Sequence, residues 1–353
     1  MMCMVLIFSV LLIFLGGGYV IAFYPRQRVK NGPMRVVVHT PKTEVDYHND
    51  CLHPCIRKWG TNKYIMVQSP WYDFNDSIEN PLLYISSDAH QWKRGVEISK
   101  TPEMGYNSDP NVFVEDGTIY VLWREYGTPK CGELNCVTAL FYRYSVDGGR
   151  NFSDTYMLVK NIVEDFSVET LMCPILIKHN DKYIIYATWY QFEPAKKNLG
   201  IAIWEGTSLL RPNFELKHLV PIKPIWTVDK WHQLPIGGHL FFCPVPHKYD
   251  LWHFDLFEYN DKLYMLSCED KADNIMLGVS DDYIHFKTCR IPLLNAHYME
   301  NRVHYRQKYY KPTAYIEGDI LHLFYTSNAQ NDYRQNVLWT VDIDFLHAEL
   351  EKI

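Results

Sequence analysis

The residues of this chain best suited to moving protons or gripping a polar ligand fall in a few short stretches. Asp109 stands directly before a proline in "SDPNVF", and Glu169 opens "ETLMCPILI". Asp50 and His53 share "DCLHPCI", while His253 and Asp255 sit two apart in "LWHFDLFEY", beside Trp252. Two or three carboxyl groups around one pocket are what glycoside hydrolysis requires, one protonated to serve the leaving oxygen and another acting as base or nucleophile. Arg124 and Glu125 in "LWREYG" read either as an ordinary ion pair at a rim or, for Arg124, as a fork for a carboxylate, sulfate or phosphate. Tyr305 and Arg306 in "VHYRQKYYKP" invite the same anion-binding reading, and two arginines near one mouth favour an anionic glycan.

These residues are far apart in sequence, so something must gather them. Five similar segments do so: "HPCIRKWGTNKYIMV" from His53, "DPNVFVEDGTIYVLW" from Asp109, "CPILIKHNDKYIIYA" from Cys173, "HFDLFEYNDKLYMLS" from His253 and "KPTAYIEGDILHLFY" from Lys311. Each has an apolar alternating half, a turn pair of Gly, Asn or Asp, and a second apolar half, which is a hairpin signature. Downstream of several hairpins come another apolar run and a Ser-x-Asp turn ending on an aromatic, as in "SSDAHQW", "SVDGGRNF" and "SDDYIHF". There the aspartate can accept backbone N–H bonds while the aromatic plugs the sheet beneath. The unit is a four-stranded blade, and five blades in a ring are the simplest closure. The expected fold is all-β, a five-bladed β-propeller over 45–353, preceded by a hydrophobic anchor helix over 1–23 and a linker with a first strand over 24–44.

In a propeller the first strand of every blade lines the central channel, so His53, Asp109, Cys173, His253 and Lys311 should converge. His253 also fits an ordinary channel histidine, Trp252 a core residue or a sugar-stacking surface, and Asp255 a third inward acid or a turn cap. The stretch around 218–250, rich in Pro, Gly and Trp, reads as an insertion, either an extended surface loop or a lid near the mouth.

With these segments in place, the chain resembles the five-bladed propeller glycosidases, the group of arabinanases, β-xylosidases, invertases and levansucrases. "SDPNVFVEDGTIYVLW" looks like their Asp-Pro strand, which implies that Asp109 stabilises the transition state or tunes the acid. "VETLMCPILI" is similar to the strand carrying their general acid, which implies Glu169 in that role, although Glu169 lies five residues before Pro174 and needs a local bulge or short loop to reach inward. Where the family places an acid before the first blade's proline this chain has His53, so Asp50 or His53 is left to activate water. The Ser-x-Asp turns also resemble sialidase Asp-boxes, which are structural. The resemblance implies a glycoside hydrolase acting on a polysaccharide or oligosaccharide. A non-catalytic glycan-binding or polysaccharide-assembly propeller, and a membrane-associated sugar or sugar-phosphate transferase, remain alternatives. No obligatory cofactor is implied, and a structural calcium in the channel is compatible with the pattern.

Bulk properties agree with a folded, globular protein. The chain is 47% hydrophobic and 15% aromatic with a net charge of −6, and no Lys/Arg-rich run provides a footprint for nucleic acid. Its first 23 residues carry no ionisable side chain and are long enough as a helix to cross a membrane. The basic residues Arg26, Arg28 and Lys30 follow this run rather than precede it, which favours an uncleaved single anchor over a signal peptide. Those charges place the remainder in the cytoplasm, whereas sugar cleavage favours the exterior, and the side stays open. Of nine cysteines, an exported form would pair Cys131 with Cys136 and Cys51 with Cys55. The odd count and the lack of Cys-x-x-Cys favour reduced thiols, and no metal centre is expected.

Overall fold

A computed structural model describes residues 42–43 and most of 51–342. Inside that range 62, 72–74, 104, 127–137, 161–168, 192–196, 222–224, 237–238, 250, 270–273, 289–292, 296–308, 319 and 329–333 are not described. The anchor segment 1–23, the linker to residue 41, Asp50, Tyr305, Arg306 and the Cys131/Cys136 pair therefore lie outside the described residues. No helix among the described residues is long and apolar enough to cross a membrane.

The architecture is an all-β propeller. The first sheet contains β1 (Lys42–Thr43), β2 (Cys51–Lys58), β3 (Tyr64–Pro70), β4 (Leu82–Ser86) and β5 (Gln91–Glu97), with β1 added in parallel to the outer edge. The second runs β6 (Tyr106–Glu115), β7 (Thr118–Tyr126), β8 (Thr138–Ser145) and β9 (Tyr156–Lys160). The third runs β10 (Glu169–His179), β11 (Lys182–Gln191), β12 (Lys197–Gly206) and β13 (Glu215–Val220). A hairpin of β14 (Ile225–Ile236) and β15 (His239–Tyr249) follows. The fourth sheet has β16 (Leu251–Tyr259), β17 (Lys262–Glu269), β18 (Asn274–Ser280) and β19 (Lys287–Thr288), with β20 (Leu294–Asn295) also on β18. The last has β21 (Tyr310–Glu317), β22 (Ile320–Asn328) and β23 (Arg334–Asp342).

The inner strands β2, β6, β10, β16 and β21 pack each on the next, and β21 returns to β2, so the ring closes. Five apolar clusters fill the five junctions between sheets; Trp92, Tyr315 and Phe324 fill the one where the last sheet meets the first. Tight turns make the inner hairpins. Asp116–Gly117 and Asn260–Asp261 have positive φ at both central positions, as the mirror-image turns that match strand twist require. The Ser-x-Asp turns behave as their residues suggest. Asp88 accepts from the backbone N–H groups of His90 and Gln91 at 2.8 Å each, and Trp92 is buried beneath.

One sequence expectation is corrected here. The stretch 218–250 is not an extended loop: it holds the end of β13 and then β14 and β15, paired over most of their length. Its β-branched and aromatic residues satisfy their backbone groups against each other as a ribbon.

Across the bore the ring is pinned by charge. Arg57 of β2 donates two bonds to Asp255 of β16, at 2.6 and 2.8 Å, and Thr313 of β21 donates to the same carboxylate at 2.6 Å. Three sheets are thus joined at one anion. Removing one partner of a buried pair strands the other, at a cost of about 3–5 kcal/mol. Asp255→Asn is therefore expected to lower the urea midpoint by that amount of stability, while Arg57→Met with Asp255→Leu should recover most of it.

Candidate functional site

The proline positions explain how the site is built. Each inner strand has a register break against its partner at the same height: between Leu52 and Cys55, Ser108 and Asn111, Met172 and Ile175, Leu251 and His253, and Tyr310 and Thr313. In four of the five a proline lies inside the break, because it has no N–H to give to the ladder. The residue before it takes positive φ: His53 at 56°, Asp109 at 52°, Cys173 at 56° and Lys311 at 42°. Such a conformation costs a non-glycine residue on the order of 1–3 kcal/mol and persists only where the surroundings enforce it. In the fifth break Trp252 is the extra residue and His253 takes the equivalent place.

The five positions do converge, and Asp109 is their hub. Its Oδ1 lies 2.9 Å from His253 Nε2 and 3.5 Å from His53 Nε2. Its Oδ2 lies 3.2 Å from Arg124 Nε and accepts from the Cys173 backbone N–H at 3.3 Å. Lys311 Nζ donates to the carbonyl of Pro110 at 3.0 Å. The Arg124 contact is ionic rather than an aligned hydrogen bond, since Nε has no partner of good geometry. The guanidinium also lies over the rings of Tyr106 and Tyr126, at 5.9 and 5.8 Å.

Above the hub, Tyr310 Oη is 3.4 Å from His53 Nε2 and accepts from Trp252 Nε1 at 3.2 Å. Beside it lies a residue that the sequence reading missed. Glu79 follows a 3₁₀ turn, Asp76–Ile78, where the Asn75 side chain accepts from the Ser77 backbone N–H. This turn sits in the connection from β3 to β4, and Ser69 Oγ donates to the Glu79 carbonyl at 3.2 Å. The Glu79 carboxyl is buried, accepts from Ser108 Oγ, and stands 3.5 Å from His53 Nδ1. Its only sequence signal is an acid in "DSIENP" next to a turn former and a proline, which is too common to single out.

Electrostatics drives the two carboxyl groups apart. Burial acts to raise the Asp109 pKa, but Arg124, His253 and His53 together outweigh it and hold the group well below the usual carboxylate range. Burial, aided by Asp109 and opposed by Ser108 and Arg124, pushes Glu79 up to about 8. Burial also lowers both His53 and His253. At neutral pH the hub therefore holds a carboxylate, a carboxylic acid and two neutral imidazoles. Neutral imidazole nitrogens and a carboxylate oxygen are metal ligands, and the ligand atoms of His53, Asp109 and His253 lie within 4.8 Å of one another. It is the one such group found among the described residues.

Several readings change. Arg124 is not a rim partner of Glu125: it is buried and its charge answers Asp109. Strand alternation turns Glu125 to the other face of β7, half-buried, where burial raises its pKa. Asp255 is neither a third acid at the mouth nor a turn cap, because Arg57 and Thr313 occupy it. Cys173 is a wall residue whose thiol donates to the Phe254 carbonyl at 2.9 Å and is pushed up to about 12 by burial. Cys51 and Cys55 are not joined in a disulfide, and the register break in β2 lies between them. Trp252 is half-buried with its edge on Tyr190. Glu169 starts β10 opposite Gln191, and its side chain is outside the described set.

No family model and no curated protein matches the chain. Solved structures do. An N-acetylgalactosamine deacetylase from F. plautii, in complex with blood group B trisaccharide, aligns with a TM-score of 0.59 at 15% identity, over 82% of this chain and 89% of that one. A family 117 glycoside hydrolase from the marine bacterium Zobellia galactanivorans aligns at 0.55 and 11%, over 88% and 91%. An exo-1,5-α-L-arabinanase from a bovine ruminal metagenomic library aligns at 0.52 and 12%, over 83% and 96%. The chain shares its fold with the arabinanase- and xylosidase-type propeller glycoside hydrolases. At these identities the likeness concerns the fold.

The hub makes a direct stability prediction. Asp109→Asn leaves Arg124 buried without its anion and should cost about 3–5 kcal/mol. Because its pKa is depressed in the folded state, Asp109 stabilises the fold above its unfolded value near 3.9, and that contribution disappears as pH falls through the folded value. Thermal unfolding of Asp109→Asn should accordingly show a shallower acid limb than the parent; an unchanged limb would contradict the assignment. Glu79 has the opposite sign. Its contribution is full below about 4.5 and is lost as pH rises through about 8, so Glu79→Gln should flatten the loss of stability across that window.

Proposed function

We propose that the protein is a carbohydrate-directed hydrolase built on five blades, cleaving glycosidic bonds in a polysaccharide or oligosaccharide. The observation that carries this reading is the pair of buried carboxyl groups on either side of His53 with pKa values pushed in opposite directions, Asp109 down and Glu79 up to about 8. Such a division keeps one carboxyl protonated, and so able to serve as an acid at neutral pH, beside a fixed negative charge. Glu79 gives its proton to the leaving oxygen. Asp109, enclosed and held through both oxygens, does not attack; its fixed charge positions the imidazoles and helps keep Glu79 protonated. Water activation then falls to a group on the other side of the sugar; the sequence candidates for that step are Asp50 and His53, and Glu79 takes the acid role that the sequence reading gave to Glu169. Arg124 is already neutralised by Asp109, which gives an anionic glycan no special support. Residues 1–23 serve in this proposal as a single membrane anchor.

A second reading, removal of an N-acyl group from an amino sugar, draws on the His53–Asp109–His253 cluster and on the fold likeness to the F. plautii deacetylase. One experiment separates them. The protein is incubated with neutral and acidic polysaccharides and with N-acetylhexosamine oligosaccharides, and reducing ends and free acetate are measured in parallel. Reducing ends support the first reading and acetate the second. Binding without turnover points to a glycan-binding module, and turnover only with an activated sugar donor points to a transferase. In the active case Glu79→Gln should lower kcat by roughly 10²–10⁴-fold, and parent activity should decline above about pH 8 as Glu79 loses its proton. Full activity in Glu79→Gln would remove Glu79 from the chemistry.

A further inference from the structure

We infer that His53, Asp109 and His253 form a binding site for one divalent transition-metal cation. Three buried donors of the right kind point at one place, brought there by the inner strands of three different sheets. Asp109 divides its oxygens: Oδ2 is taken by Arg124 and the Cys173 N–H, while Oδ1 faces His253 Nε2 at 2.9 Å and His53 Nε2 at 3.5 Å. These three atoms form one face of a coordination shell.

Of the remaining ring nitrogens, His53 Nδ1 has a carboxyl in reach, and neither makes an aligned hydrogen bond. His53 Nδ1 faces Glu79 Oε2 at 3.5 Å, the carboxyl that orients a ligating imidazole in many metal sites. With Nε2 ligated, Nδ1 carries the proton, and Glu79 is the acceptor in reach. His253 Nδ1 has no hydrogen-bond partner. Tyr310 Oη, 3.4 Å from His53 Nε2, already accepts from Trp252, so its own proton is available to an oxygen bound at the cation.

Two fixed cations stand close, and both are engaged elsewhere: Arg124 on Oδ2 and Lys311 on the Pro110 carbonyl. Two imidazoles and one carboxylate select zinc, manganese, iron or cobalt over calcium, which takes six to eight oxygen ligands. Three protein ligands with open positions are the arrangement of catalytic rather than structural sites. In the hydrolase proposed above, whose reading this use alone rests on, the cation would position a sugar hydroxyl on the side of Glu79, leaving water activation to the opposite side.

The test is isothermal titration of the full-length chain, stripped with a chelator, with ZnCl₂, MnCl₂ and CaCl₂. One equivalent of zinc or manganese should bind, more tightly than calcium, and should raise the thermal unfolding temperature. His53→Ala and His253→Ala should each weaken binding by more than the roughly 10–100-fold typical of losing an outer partner of a ligand. Their unfolding temperatures without metal show whether they fold. Absence of saturable zinc or manganese binding, or equal binding by folded His53→Ala and His253→Ala, overturns the site. Metal binding without carbohydrate turnover leaves the site standing and removes the hydrolase reading instead.

Discussion

A single buried anion organises this protein's centre. Asp109 sits where the sheets meet, excluded from solvent, and its charge is tolerable only because Arg124, two imidazoles and a backbone N–H surround it. Every one of those partners comes from a different inner strand or the strand paired with it. The closed ring supplies the partners, and the anion in turn fixes how far the inner strands stand from the axis. The same device recurs two residues beyond His253 on β16, where Asp255 collects Arg57 and Thr313. Two anions at two levels hold the strands, while apolar clusters between sheets supply the bulk of the burial.

The consequences for chemistry follow from that enclosure. A carboxylate with both oxygens engaged and a depressed pKa makes a poor base, so Asp109 contributes through its field and its geometry. Its negative charge opposes ionisation of Glu79, and its Oδ1 gives the two imidazoles a common focus. Acid, anion and neutral imidazoles coexist within a few ångströms because burial acts on each according to the sign of its charged form.

Much of this was readable from the chain alone, and for definite reasons. The hairpins announced themselves by alternation and turn pairs, since both are local in sequence. The convergence of His53, Asp109, Cys173, His253 and Lys311 could be read because the repeat fixes equivalent places. What escaped was set by geometry across sheets. Whether Arg124 faces Glu125's side or Asp109 depends on strand alternation, and whether Asp255 is available depends on Arg57, 198 residues away. Glu79 belongs to no repeat: a short turn between two strands delivers it, and nothing local distinguishes it from other surface acids. The 218–250 stretch misled because its prolines and glycines suggest a loop, yet Pro235 and Pro244 stand in a long antiparallel ribbon, opposite Leu240 and Trp231.

The proline-linked breaks in the inner strands have a wider implication. At those places the ladder has already been given up, so the residue before each proline contributes little to strand pairing and chiefly determines what projects toward the axis. A histidine, an aspartate, a cysteine and a lysine occupy four equivalent sockets with nearly the same backbone. Such a wheel can exchange its central chemistry one spoke at a time while its rim and its spacing stay as they are, which is how one framework can serve reactions as different as splitting a sugar chain and trimming a substituent from it.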